Sequence, residues 1–136
     1  MERIVKETDF YTLIYNSELK LGQITWYGSP EEREYKEVFE LLLGLYPENE
    51  VQYVISDVSR QGAISPDLRN WFVQEAFPVA VNKGLQKAAV VYRNRPTKLY
   101  YINKVKEKAD EIKFPLRVFT SLIDAMEWIQ EETLVV

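Results

Sequence analysis

The chain has 136 residues, enough for one folding unit that buries most of its apolar surface without covalent staples. With 46% apolar and 28% charged residues it has the composition of a globular protein, and residues 1–136 are read as a single domain. Cysteine and histidine are both absent, which excludes disulfides, thiol nucleophiles, the serine–histidine triad, most zinc or copper sites and the usual neutral-pH general base. An oxygen-only Mg²⁺ or Ca²⁺ site stays open, but no EF-hand-like spacing supports one, so neither metal nor cofactor is expected.

The opening MERIVKETDF is too charged for a secretory signal, and no apolar run reaches membrane-spanning length. The expectation is a cytoplasmic protein without an integral membrane segment. Net charge is −4, spread unevenly. Residues 31–50 hold seven acids against two bases, whereas residues 83–108 hold eight bases against one acid, Glu107. Such asymmetry fits an anion-binding face or a solvated helix surface. The overall acidity argues against a nucleic-acid partner, which needs concentrated positive charge.

In chain order, residues 10–15 (FYTLIY) and 19–27 (LKLGQITWY) are β-rich runs joined by Asn16-Ser17-Glu18, a hairpin pattern. Leu19 and Leu21 fall on one face of the second run, Ile24 and Trp26 on the other, which predicts a bulge at Gly22-Gln23. Ser29-Pro30-Glu31-Glu32 predicts a capped helix start, with Ser29 as N-cap and Glu32 completing a capping box. Tyr35, Val38, Phe39, Leu42, Leu45 and Tyr46 make its apolar stripe, and Pro47 ends it. Its acids Glu31, Glu32, Glu34, Glu37 and Glu40 are expected on the solvated face.

Residues 51–55 form a short strand, apolar on both faces as in the middle of a sheet. It runs into the polar loop Asp57–Ile64, whose Gly62 permits a sharp turn. Ser65-Pro66-Asp67 then starts a helix: serine accepts an amide proton, proline has none to waste, and aspartate meets the positive end of the dipole. Leu68, Phe72, Ala76 and Val79 are expected inward, Pro78 must kink or restart the helix, and Gly84 caps it. Trp71, Val73 and Phe77 are extra apolar residues, for packing or for a partner. Residues 87–92 are the next buried strand, and Pro96 or Thr97 begins a third helix. Its stripe is Leu99, Ile102, Val105, Ala109 and Ile112, with Lys98, Lys104, Lys106 and Lys108 largely elsewhere. Residues 116–119 (LRVF) are the last strand. Thr120 or Ser121 caps a final helix that packs through Leu122, Ala125, Trp128 and Ile129, ahead of a frayed tail.

The expected order is therefore β-β-α-β-α-β-α-β-α, an α/β fold with a mostly parallel mixed sheet flanked by four helices. The opening hairpin supplies one antiparallel strand.

The segments YVISDVSRQGAISPDL and KAAVVYRN, and above all LRVFTSLIDAMEWI, resemble the SpoIIAA-like (STAS/SEC14-type) superfamily over nearly the whole chain. The resemblance implies a SpoIIAA-like (STAS-like) fold. It also implies two kinds of role. In anti-sigma-factor antagonists a serine at the start of the second helix is phosphorylated and switches partner binding. Ser65 is the nearest match here and Ser59 the second choice, although the Asp-Ser-Ser-Gly-like run is missing and Pro66 follows Ser65 directly. The SEC14-like branch implies a hydrophobic or lipid-like ligand.

From the residues themselves, a parallel sheet would bring Asp57, Ser59, Arg60, Arg93, Asn94 and Arg95 to one edge, with helix starts at Ser65 and Thr97. Guanidinium groups and helix N-termini there suit a phosphate or carboxylate. Nothing in the sequence pairs an acid with a second group for catalysis, so no enzyme activity is expected. The leading expectation is a non-enzymatic regulatory module with a protein partner. A small anionic or lipid-like ligand is the alternative, and a homodimer joined through Trp71, Phe77, Tyr100 and Tyr101 is the third.

Overall fold

The computed structural model of the protein describes residues 1–45, 49–93 and 96–131. Tyr46, Pro47, Asn94, Arg95 and the tail beyond residue 131 lie outside them, as do the expectations that fall on those residues. Six strands form one sheet in sequence order: β1 (Glu2–Glu7), β2 (Tyr11–Asn16), β3 (Leu21–Trp26), β4 (Tyr53–Asp57), β5 (Lys87–Val91) and β6 (Leu116–Phe119). β2 pairs antiparallel with both β1 and β3, so it alone runs against the rest, while β3 through β6 pair in parallel. The expected central ladder is present, with Ser56 opposite Val90 and Asp57 opposite Val91.

The helices are α1 (Glu32–Gly44), α2 (Pro66–Trp71), α3 (Phe77–Lys83), α4 (Pro96–Glu111) and α5 (Leu122–Gln130). A π-helical turn, Phe72–Ala76, joins α2 to α3 into one rod. Three successive crossovers each advance one strand in the same direction. Their helices pack on the same sheet face, as a constant hand of connection requires. Tyr11, Leu13, Ile24, Trp26 and Val54 meet the buried residues of α1 to α4 there. Among the described residues the opposite face is covered by α5, where Ala125 and Ile129 close over Leu21, Ile55, Ala89 and Val91.

Several expectations need correction, among them Leu99, Ile112 and Leu122, expected to pack inward but 39%, 37% and 37% exposed. The chain opens with a strand the sequence reading left out: β1 is charged and exposed along almost its whole length, as an edge strand that discourages further pairing should be. No bulge interrupts β3, whose register against β2 is continuous. Leu21 and Ile24 point to opposite faces because both faces are buried, each with its own core. The only register shift between β1 and β2 lies in β1, between Ile4 and Lys6. Ser29 does not cap α1; Glu31 stands at the N-cap without a side-chain bond. Val79 is 41% exposed, and Phe77, at 2%, fills the inward position instead.

Pro78 shapes the α2–α3 rod. It cannot donate to the carbonyl four residues back, and its ring would crowd that group. The π turn just before it answers this: the Phe77 amide reaches five residues back to the Phe72 carbonyl, widening the helix where proline needs room. At the other end Gly84, at φ 120°, donates to the Val81 carbonyl, while the Leu85 amide reaches Ala80.

Among the acids of α1, Glu37 is not simply solvated. It accepts the Tyr11 hydroxyl proton and pairs with Lys6 at 2.9 Å, tying β1 and β2 to the helix. Gly22 lies against α1, since a Cβ there would sit 2.6 Å from Leu42 Cδ1. Gly22→Ala is expected to lose about 1–3 kcal/mol through overpacking. Urea denaturation checks this, and an unchanged midpoint would mean that Leu42 moves aside without cost.

A candidate ligand groove at the C-terminal end of the sheet

Strand order never reverses, so the sheet has no switch-point crevice of the kind that holds ligands in doubly wound folds. Any site at the C-terminal ends of the parallel strands must be built from loops and helix starts. The loop after β4 is held in place by extending the ladder one step: Gly28 and Gln61 form a parallel bridge. The Gly28 amide donates to the Arg60 carbonyl at 3.0 Å, and the Gly62 amide donates to the Gly28 carbonyl at 2.6 Å. A Cβ at Gly62 would lie 2.1 Å from Ser29 Oγ and 3.3 Å from the Gly28 carbonyl, so any larger residue would have to turn Ser29 aside and press on the Gly28 backbone. The same bridge draws Ser29 away from the helix it was expected to cap.

The expected site residues are distributed as follows. Asp57 ends β4, and its carboxylate accepts the Ser59 amide at 3.0 Å, closing the turn. Arg60 and Arg93 are exposed at the ends of the neighbouring strands β4 and β5, while Ser59 is half-buried. Ser65 caps α2 as expected, accepting the Leu68 amide at 3.2 Å. Its groove is shared with Glu31, Glu32, Asp67 and Lys36 rather than with Arg93. That groove carries three carboxylates and suits a cation better than a phosphate.

A different groove, of about 490 Å³, opens between the β4–α2 loop and α4. Gln61, Ile64, Arg69, Lys98, Tyr100 and Tyr101 line it, with two basic residues and no acid among the described lining residues. Lys98 is 7% exposed and donates from Nζ to Oε1 of Gln61, itself 1% exposed. The Arg69 guanidinium lies over the Tyr101 ring at 5.9 Å, and the Tyr101 and Tyr35 hydroxyls meet at 2.9 Å. Burial, more than any neighbouring charge, raises both phenols: Tyr101 is pushed up to about 12, and Tyr35 also stands well above its ordinary value. Both are neutral hydrogen-bonding groups at physiological pH.

Behind this groove, between sheet and helices, lies an apolar cavity of about 80 Å³. Small side chains on both walls leave the space: Ser56 and Ala88 on the sheet, Ala76 and Ala80 on the α2–α3 rod. Gln61 and Tyr101 line both the groove and the cavity, and so form the partition between them.

The sequence reading did not single out Gln61, Arg69 or Lys98, and it placed Tyr101 on a dimer surface. Tyr101 and Phe77 are interior, so neither supplies contact area. A pattern for Lys98 was available. It lies four residues before Ile102 and seven before Val105, on the buried stripe of α4, where a lysine is out of place unless it serves a polar pocket. Among the described residues, no group of three metal-ligating side chains converges, and no helix is long and apolar enough to cross a membrane.

No protein-family model matches the chain, and no curated protein does. Solved structures do. An uncharacterised protein from Shewanella loihica, of the DUF3478 family and described as having a SpoIIAA-like fold, superposes with a TM-score of 0.54 at 13% identity, over 95% of this chain and 92% of that one. An anti-sigma factor antagonist from Mycobacterium paratuberculosis superposes with a TM-score of 0.55 at 13% identity, over 93% of this chain and 100% of that one. At such identities the likeness is one of architecture. With its six-stranded mixed sheet and flanking helices, this chain has the SpoIIAA-like fold.

Proposed function

We propose that the chain is a non-catalytic, regulatory protein-interaction module whose partner docks across the helix starts at the C-terminal end of the sheet. One observation carries this. Leu99, Tyr100, Leu122 and Ile123 are 39%, 62%, 37% and 71% exposed and sit in the first turns of α4 and α5. Those helices follow the adjacent parallel strands β5 and β6, so both begin at the same rim. The two pairs flank this rim from opposite faces of the sheet, and exposed apolar side chains at one rim give a partner area to cover. The fold likeness to an anti-sigma factor antagonist supports the same class of role.

Ser65 stands at this end of the sheet, exposed on the start of α2. Phosphorylation there, or at Ser59, is the switch this reading would use. Phosphate would meet a helix N-terminus, but also the acids Asp67, Glu31 and Glu32 of its groove. Mass spectrometry of protein isolated from its own cells tests the switch, and phosphate at neither serine removes it.

A photo-crosslinking amino acid placed at Tyr100 or Ile123, with Val79 on α3 as an exposed control, tests the docking surface in cells. Discrete adducts from the two rim positions and none from the control are expected. Equal adducts at all three positions, or none at the rim, would refute the proposed face.

A further inference from the structure

We infer that the groove beside α4 and the cavity behind it form one binding site for a small amphipathic organic acid: a carboxylate carrying a short unbranched hydrocarbon chain. The carboxylate sits beside Lys98 and Arg69, and the chain passes Tyr101 into the apolar space under the π turn. This goes beyond a protein-docking rim and stands independently of it.

The charge side of the argument is local. In a chain of net charge −4, this groove presents the Lys98 amine and the Arg69 guanidinium, with no carboxylate among the described lining residues. Lys98 is nearly withdrawn from water, where attraction for an anion is stronger than on an open surface. Arg69 offers a planar fork suited to a carboxylate.

The apolar side is equally specific. Ala76, Ala80, Ala88 and Ser56 leave a void among larger apolar side chains such as Ile24, Phe39 and Leu42. Its one hydroxyl from the sheet is already engaged, since Ser56 Oγ accepts the Trp26 indole proton at 3.1 Å. A mostly apolar void of about 80 Å³ is about half the ~150 Å³ of an apolar cavity that admits benzene, which leaves room for a chain of roughly three or four carbons. Among the described residues, Gln61 and Tyr101 line both it and the charged groove. The roof is the π turn, where the regular helical ladder is already interrupted, a distortion that recurs at functional sites. A polar mouth and an apolar interior that share Gln61 and Tyr101 as walls are the parts such a ligand needs.

The test titrates the intact ¹⁵N-labelled protein with acetate, butyrate, hexanoate and decanoate, and with inorganic phosphate and 1-butanol as partial ligands. Butyrate and hexanoate are expected to shift the Gln61 side-chain amide and the backbone amides of Ala76 and Ala88 saturably. Two added methylenes should tighten binding about tenfold over acetate, and decanoate should bind more weakly than hexanoate because the cavity is short. Arg69→Gln should weaken hexanoate by about fivefold or more while hardly affecting 1-butanol. Ala88→Val should abolish the gain with chain length and leave acetate unchanged. Should that variant fail to fold, the chain-length series on the unaltered protein decides alone. Phosphate binding as tightly as hexanoate, affinity indifferent to chain length, or no saturable shift from any of the acids would overturn the inference.

Discussion

Trp26→Ala is expected to cost the fold about 3–5 kcal/mol, the range for emptying a buried aromatic site. Trp26 is 1% exposed at the end of β3 and centres an aromatic cluster. Its ring stacks on Tyr35 at 5.3 Å and meets Tyr11 and Phe39 at 6.0 Å. Its indole N–H is spent on Ser56 of the next strand, so truncation also removes a buried hydrogen bond. The loss should be large because relaxation is blocked on two sides. Tyr35 is held by Tyr101, and Tyr11 donates to Glu37. Trp26→Phe keeps most of the volume and should cost roughly a third as much, chiefly the hydrogen bond and part of the stacking. Chemical denaturation of both variants reads the difference. A penalty under about 1 kcal/mol for the alanine variant would mean that the cluster collapses inward and that the neighbouring cavity does not persist.

Stability should fall steeply in alkali. Tyr11, Tyr15, Tyr35 and Tyr101 all have phenols raised by burial as the leading cause. A raised phenol favours the folded state as long as both states are neutral. Above the ordinary value of 10 the unfolded chain ionises first, and the advantage is gone once pH passes the folded value. For Tyr101, with a folded value of about 12, that window runs from about 10 to 12 and is worth about 2–3 kcal/mol. Tyrosinate absorbance against pH should show an early class of exposed tyrosines and a late class that appears together with unfolding. Tyr101→Phe should flatten part of the alkaline loss, and an unchanged profile in that variant would show that its hydroxyl is not held neutral by burial.

The sheet from β2 onward was readable because both helix crossovers and strand cores leave strong periodic marks. Gly84, Ser65 and Ser121 were readable because end caps are local chemistry, and each occupies the capping position expected of it. β1 was not readable. An edge strand under selection against aggregation carries charge where a core strand carries apolar residues, so ERIVKE looks like an extended tail. The capping box at Ser29 failed for a tertiary reason, because a bridge between Gly28 and Gln61 outweighs a local bond.

The charged groove was hidden by the first turn of the α4 stripe: Ile102, Val105 and Ala109 are buried as expected, but Lys98 rather than Leu99 takes the inward position there. Choosing Leu99 as the start of the α4 stripe turns Lys98 outward. In the structure Lys98, Tyr101, Ile102, Val105 and Ala109 are buried, and Leu99 is half out of the core. Which residue of an amphipathic helix faces in depends on the sheet beneath it. No window of the sequence contains that sheet.

Neighbours in the sheet are also neighbours along the chain, so the ladder can grow in the order of synthesis, each strand finding its partner already laid down. The stripe of Leu21, Ile55, Ala89 and Val91 then has to wait for the final helix, nine residues long, before anything shields it from water. A ribosome-bound chain lacking that helix would present a greasy face to every chaperone in reach. Clipping the finished protein after β6 would recreate that hazard in a molecule otherwise fully formed.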